Sequence, residues 1–509
     1  MGEPGRALLV ICGHRGNRGA PWADLGAVEE IPGACEFPER LVRLLRSHPA
    51  DRGVLALCGV WALPEDVRVA LRGAGKDPEA FFALDPWSGQ DSEAGAERAA
   101  LLIRAALARV RVWPGTVPAN LAPYLPERLS RRTLLRFPPV AYRVVPRVER
   151  DRCRAADGCA ACEGSCPVDA LRVAEGRVVL DRTKCTGCAA CVEACPHEAV
   201  VFPGYMGEEV AAHVEALLDP TVGPPGPRGI VYVCAGVPWD PSWDARWLPV
   251  PVACVSSLPV SWILAPLLRG ASSVAVAPCA CKRGEGARGV LEARLEFCRA
   301  YLGGLGLGER RIHGALLSVA PHEEPALPRC GDGEGTLFGT GPEAASRVLR
   351  LLADVAGRAA WVEHPASPLG LVEIDAGTCT GCGMCAARCP TDALSFVQDG
   401  EAVLRWDPAR CTGCGQCTGV CPEIERGAIR ARRAVDVAEL RRGVRTVYRE
   451  EVVRCVACGA PVAPRRMLER VTGLLGEDGR AWEEVLSWYC SECRALRGRG
   501  VGLEPEAGA

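Results

Sequence analysis

Residues 185–196 read CTGCAACVEACP. Three cysteines stand two residues apart, a fourth follows after three more, and a proline comes directly behind it. The run recurs as CTGCGMCAARCP at 379–390, as CTGCGQCTGVCP at 411–422 and, with a longer first gap, as CRAADGCAACEGSCP at 153–167. Sixteen of the 29 cysteines fall in these four runs, which come as two pairs. The start of the chain, MGEPGRALLVICGHRG, has no basic segment ahead of a long apolar run and is not a secretory signal. CxxC spacing in such a chain points to metal in a reducing compartment, not to disulfides.

The spacing is that of bacterial ferredoxins, which hold two [4Fe–4S] clusters on two runs. Close CxxCxxC spacing lets three thiolates wrap one cubane, while the fourth cysteine of each run reaches the other cluster. Four ligand sets are therefore expected. The first module supplies Cys153, Cys159, Cys162 with Cys195, and Cys185, Cys188, Cys191 with Cys166. The second supplies Cys379, Cys382, Cys385 with Cys421, and Cys411, Cys414, Cys417 with Cys389. The prolines Pro167, Pro196, Pro390 and Pro422 donate no backbone hydrogen bond and restrict the turn leaving each cluster. Cys153 and Cys159 have five residues between them instead of two, a loop that still closes but alters its surroundings.

The remaining cysteines reveal a longer repeat. Cys12, Cys35 and Cys58 match Cys234, Cys254 and Cys279 at offsets of 222, 219 and 221 residues. Cys159 to Cys382 and Cys195 to Cys421 continue the series at 223 and 226. A period this long means duplicated domains. Short apolar runs ending in cysteine or small residues alternate with amphipathic segments, such as 38–48 and 258–269, which argues for parallel sheets with crossover helices. The fold class is multidomain α/β and α+β: two parallel-sheet α/β units, each followed by a ferredoxin-like module, and a small zinc-ribbon-like C-terminal domain. The expected boundaries are an α/β unit at 1–145, a ferredoxin module at 146–206 and a helix with a Pro/Gly linker at 207–229. A second α/β unit follows at 230–365, a second ferredoxin module at 366–432 and a tail at 433–509.

The stretch from Cys35 to Val110, with CEFPERLVRLLRSHPADRGVLALCG, resembles the N-terminal region of the FAD-carrying subunit of heterodisulfide reductase. Residues 230–318, with Cys254, APLLRGASSVAVAPCAC and LGLGERRIHGALLS, resemble the delta subunit of methyl-viologen-reducing hydrogenase. The second resemblance implies a [2Fe–2S] cluster on Cys234, Cys254, Cys279 and Cys281. The sequence departs from that family in having a single cysteine at its first position and a closer last pair. The first resemblance implies a further iron–sulfur site near Cys12, Cys35 and Cys58; no fourth cysteine is nearby, so His14 or the distant Cys298 or Cys330 would have to complete it, and simple burial of the three cysteines is the alternative. Its FAD domain has no counterpart in this sequence, and no flavin is expected here. The nearest remnant of a dinucleotide fingerprint, Gly339-Thr340-Gly341 with Glu363 about twenty residues on, reads as a glycine-rich helix start.

In the tail, Cys455, Cys458, Cys490 and Cys493 form a CxxC…CxxC set suited to structural zinc, with a rubredoxin-like iron site as the alternative. A net charge of −2 argues against a nucleic-acid surface. The apolar stretch 258–278 is interrupted by Arg269 and Gly270 and reads as helix then strand, not as a membrane span. No catalytic constellation stands out. The expectation is a cytoplasmic electron-transfer component of a heterodisulfide reductase- or hydrogenase-like complex, not itself catalytic. Its partners would be redox subunits of heterodisulfide reductase, hydrogenase or formate dehydrogenase type. The alternative is an oxidoreductase whose α/β unit binds flavin or substrate directly.

Overall fold

The computed structural model describes residues 7–13, 25, 27–88, 93–116, 120–124, 141–223, 226–240, 242–278, 288–313, 317, 320–321, 325–331, 336–475 and 488–498. They form two compact units, residues 1–358 and 359–509.

The first unit is built on two parallel sheets of one design. Strand β1 (Leu8–Cys12, LLVIC) is apolar and buried at every position, the mark of a strand covered on both faces. It pairs in parallel with β2 (Ala27–Ile31) and β3 (Gly53–Ala56), and β3 pairs with β4 (Phe81–Leu84). Parallel neighbours need crossovers. Helix α1 (Pro38–Ser47) links β2 to β3 and buries Leu41 and Leu45, one turn apart. Helix α2 (Glu65–Gly73) follows β3 and buries Val67, Ala70 and Leu71.

The second sheet repeats the order β2-β1-β3-β4 with strands Trp247–Val252, Gly229–Cys234, Ser273–Val276 and Ile312–His313. The registers agree as well. Leu8 lies opposite Ala27 and Gly53, and Gly229 lies opposite Trp247 and Ser273. Cys12 and Cys234 each end the central strand, so the sequence repeat is also a repeat of topology. The apolar stretch 258–278 is the fully buried helix Val260–Leu268 followed by the strand Ser273–Val276. Among the described residues no helix is long and apolar enough to cross a membrane.

Helix α3 (Glu93–Arg111) joins the two sheets by packing on the helix Gly207–Leu217. Two buried arginines of α3 fasten it to the second sheet. Arg98 donates to the carbonyls of Ala245 and Trp247, and Arg109 to those of Pro251 and Gly204.

The second unit is antiparallel. Strand Ile429–Asp436 pairs with Gly370–Ile374 on one side and Trp361–Glu363 on the other. A second sheet runs Leu394–Asp399, Glu401–Trp406, Arg445–Arg454, Pro461–Pro464. The sequence boundary at 433 therefore falls inside a strand, and the start of the tail completes the ferredoxin sheet. The reason is elementary: Glu401–Trp406 would otherwise expose an unpaired edge, and Arg445–Arg454 satisfies it.

Candidate metal centres

The four cysteine runs form four separate groups, three of which line hollows. Cys379, Cys382, Cys385 and Cys421 line one, and Cys389, Cys411, Cys414 and Cys417 line a second. Cys166, Cys185, Cys188 and Cys191 line a third. The remaining four meet around Cys162: burial pushes its thiol up to about 12, with the Cys195, Cys159 and Cys153 sulfurs adding to the rise. In each group three cysteines come from one run and one from the other. The extra residues between Cys153 and Cys159 are absorbed by one 3₁₀ turn, Ala155–Asp157, closed by left-handed Gly158. Within each module the third cysteines of the two runs face each other. Cys191 feels the Cys162 sulfur, and Cys385 feels that of Cys417.

The backbone explains the residues between the cysteines. Gly187, Gly381 and Gly413 of the three CTGC turns all have positive φ, between 64° and 72°, where a side chain is strained. The next such position is Gly383 and Gly415 in the second module but Ala189 in the first, at φ 63°. These turns aim amides at sulfur. Ala170 donates to Cys166 Sγ at 3.2 Å and Ala199 to Cys195 Sγ at 3.3 Å. For Cys185, Cys379 and Cys411, burial raises the thiol and the amides of Gly187, Gly381 and Gly413 pull it back. Such amides stabilise charge on a thiolate and so tune a cluster.

Among the described residues two other groups are much tighter, with ligand atoms all within 4.8 Å of one another. One is Cys455, Cys458, Cys490 and Cys493, with Cys458 and Cys490 sulfurs 3.6 Å apart. Tetrahedral thiolates on one zinc stand about 3.8 Å apart, from a Zn–S bond of about 2.3 Å. The donor set thus fits one ion, whereas the ferredoxin groups are not among these tight clusters. Burial raises Cys455, but the amides of Cys490, Ala457 and Cys458 outweigh it and bring the thiol down to about 6.

The other tight group is Cys12, Cys35 and Cys58, at the C-terminal ends of the first sheet. Cys12 and Cys35 sulfurs lie 3.3 Å apart. Burial pushes Cys58 up to about 12, with Cys12 and Cys35 adding. Cys298, fully buried in the helix Arg288–Leu305, and Cys330, beside the Pro328 carbonyl, stand apart from this group. His14 lies outside the described residues. In the second sheet Cys234 and Cys254 are adjacent, since the amide of Val255 donates to Cys234 Sγ at 3.5 Å. Cys279 and Cys281 lie outside the described residues.

Three stretches match known families. Residues 178–201 match a 4Fe-4S binding domain, and residues 378–424 match a 4Fe-4S dicluster domain. Residues 240–327 match the methyl-viologen-reducing hydrogenase, delta subunit. The chain is an iron–sulfur protein. Its ferredoxin-type domains and delta-subunit-like domain support an electron-transfer role. No curated protein matches the chain.

Several residues that matter are not legible in the sequence as site residues. The Ser257 hydroxyl donates to the Cys188 carbonyl at 2.6 Å, and the Cys254 sulfur is close enough to raise the Cys188 thiol. The second α/β unit therefore touches the first ferredoxin module directly. Glu198, three residues past Cys195, accepts from the amides of Thr340 and Gly341 at 2.8 and 3.0 Å. A carboxylate thus fills the start of the helix Pro342–Ala356, and the glycines there serve a protein contact. In the second unit Glu423, just after Cys421 and Pro422, accepts from Arg470 of the helix Arg465–Leu475. That contact ties the tail to the ferredoxin fold.

Proposed function

We propose that the chain relays low-potential electrons between redox subunits of a cytoplasmic heterodisulfide reductase- or hydrogenase-like complex. It would do so through four [4Fe–4S] clusters and a [2Fe–2S] cluster. The observation that carries this reading is the crossed grouping of sixteen cysteines into four sets, three of them lining separate hollows. A bound cubane supplies one-electron storage at a potential set by its protein surroundings. The chain's own part is to hold, space and tune. Cys162 with Cys191 and Cys385 with Cys417 bring the paired sites of each module together. Cys254 and Ser257 bring the second α/β unit against the Cys188 loop. That contact supports a route from the Cys234/Cys254 site into the first module.

The [2Fe–2S] assignment to Cys234, Cys254, Cys279 and Cys281 rests on the resemblance and on the adjacency of the first two. Cys12, Cys35 and Cys58 are a further candidate site; three sulfurs this close suit a single ion with an open position as well as the edge of a cluster. The tail set is read as structural zinc. The experiment that tests the relay is EPR of the dithionite-reduced protein with Cys162→Ser and Cys417→Ser variants. Each variant should lose or alter one signal and weaken the magnetic interaction with its neighbour. Unaltered spectra would sink the assignment of these cysteines as cluster ligands.

A further inference from the structure

A cavity of about 650 Å³ opens between the edge strand β4 of the first sheet and the ends of strands Gly229–Cys234 and Trp247–Val252 of the second. One side is Phe82, Leu84 and Trp61, and the facing side is Cys234, Gly236 and Trp239. The floor is Thr186 and Gly187, the two residues between Cys185 and Cys188, with Arg143, whose guanidinium donates to the Cys185 carbonyl at 3.0 Å. Trp61 and Trp239, one from each α/β unit, have ring centroids 4.6 Å apart and planes 59° apart. Arg109 closes the far end, 5.5 Å over the Phe82 ring. Behind it lies Glu209, fully buried 4.0 Å from the guanidinium, with one carboxylate oxygen lacking a hydrogen-bond partner among the described residues.

Each feature narrows the ligand. The volume falls in the range of small-molecule sites, roughly 300–1,000 Å³. In the second sheet the lining sits at the carboxyl ends of Gly229–Cys234 and Trp247–Val252, where doubly wound sheets bind ligands, and in the first it is the edge strand β4. Indole and phenyl faces favour a flat π system over a flexible chain. Arg109 and Arg143 give the lining positive charge, each while donating to backbone carbonyls of the protein. The floor is the loop of one cysteine site, and Cys234 of another is in the wall.

We propose that this crevice binds an exchangeable, flat fused-ring carrier of the flavin class, seated against the Trp61/Trp239 pair and above the Cys185–Cys188 loop. What such a ligand would exchange with the chain rests on the electron-relay reading; that it binds does not. The missing dinucleotide fingerprint is no obstacle. It concerns a pyrophosphate at a helix start, and here Glu198 takes the amides of that helix start.

The test uses the full-length protein, purified anaerobically. Riboflavin, FMN, menadione and AMP are titrated separately while tryptophan fluorescence is followed. Riboflavin or FMN should quench saturably. Trp61→Ala should weaken binding at least ten-fold, and so should Ala235→Trp, which fills the crevice from an exposed position. Cluster absorbance should stay unchanged in both variants, showing that they remain folded and loaded. Binding by riboflavin and FMN alike places recognition on the ring, and a gain for FMN adds a phosphate contact. Saturable binding of menadione in place of flavins would keep the flat-ring site and assign it to quinones. Binding of AMP alone, no saturable binding, or equal binding by both variants would overturn the proposal. Iron content and EPR, read on the same samples, report on the relay separately.

Discussion

The Ser257 hydroxyl donates a 2.6 Å hydrogen bond to the carbonyl of Cys188, and both residues are buried. The bond joins an α/β unit to the cysteine loop of a ferredoxin module that precedes it in the chain. Ser257→Ala leaves that carbonyl without its donor, at a cost of about 1–3 kcal/mol. It also removes a hydroxyl dipole beside the Cys188 loop. The potential of the centre held by Cys188 should fall, as read by EPR-monitored redox titration, while Ser257→Thr should keep the parent value. Equal potentials in all three proteins would separate this contact from electron transfer.

Glu209 and His213 give the first unit an opposed pair of pH responses. Burial raises the Glu209 carboxyl from 4.5 to about 7 against the pull of Arg109. The folded chain then holds this proton to higher pH than the unfolded one, and stability is lost as pH rises from 4.5 towards 7. Burial, with Arg109 adding, lowers His213 from 6.5 to about 3, and that stability is lost as pH falls through this window. Glu209→Gln removes only the alkaline loss. Relative to the parent it should gain on the order of 3 kcal/mol between pH 4.5 and pH 8. Thermal unfolding of both proteins at the two pH values reads the difference. Parallel shifts would contradict it.

The tail should release one zinc per chain to a strong chelator. Because Cys455, Cys458, Cys490 and Cys493 lie around one point, a bound metal would add folding energy to this small region. Cys490→Ser should abolish zinc binding and speed proteolysis of the tail, with the ferredoxin signals retained. A rubredoxin-type iron spectrum from the isolated protein would reassign the metal.

Glu198 is the clearest case of a residue whose role depends on distant chain. Glu198→Ala frees the amides of Thr340 and Gly341 and should destabilise the first unit by about 1 kcal/mol. Glu198→Gln, which keeps an acceptor but no charge, should recover part of that. Chemical denaturation of the three proteins compares them.

The cysteine spacing makes the ferredoxin turns legible because a cluster imposes its ligand geometry locally. The glycines of CTGC follow from the left-handed turns that geometry requires. The parallel sheets are legible in LLVIC and GIVYVC, strands with no polar face. Long-range placement is not. Nothing near Ser257 in sequence announces Cys188, 69 residues earlier. The tail boundary shifts for a similar reason: the partner of Glu401–Trp406 is Arg445–Arg454, and alternation alone does not say which edge a strand will join. Arg109 and Glu209 read as ordinary helix charges until α3 and the helix Gly207–Leu217 are brought together.

Sixteen cysteines are expected to hold four cubanes. Anaerobic iron and acid-labile sulfide analysis of the fully reconstituted chain tests it most directly, with Cys153→Ser as the paired variant. About sixteen irons are expected for the four cubanes, about eighteen if the binuclear site is filled, and a loss of up to about four in the variant. A fully reconstituted chain holding substantially fewer than about sixteen irons would contradict it.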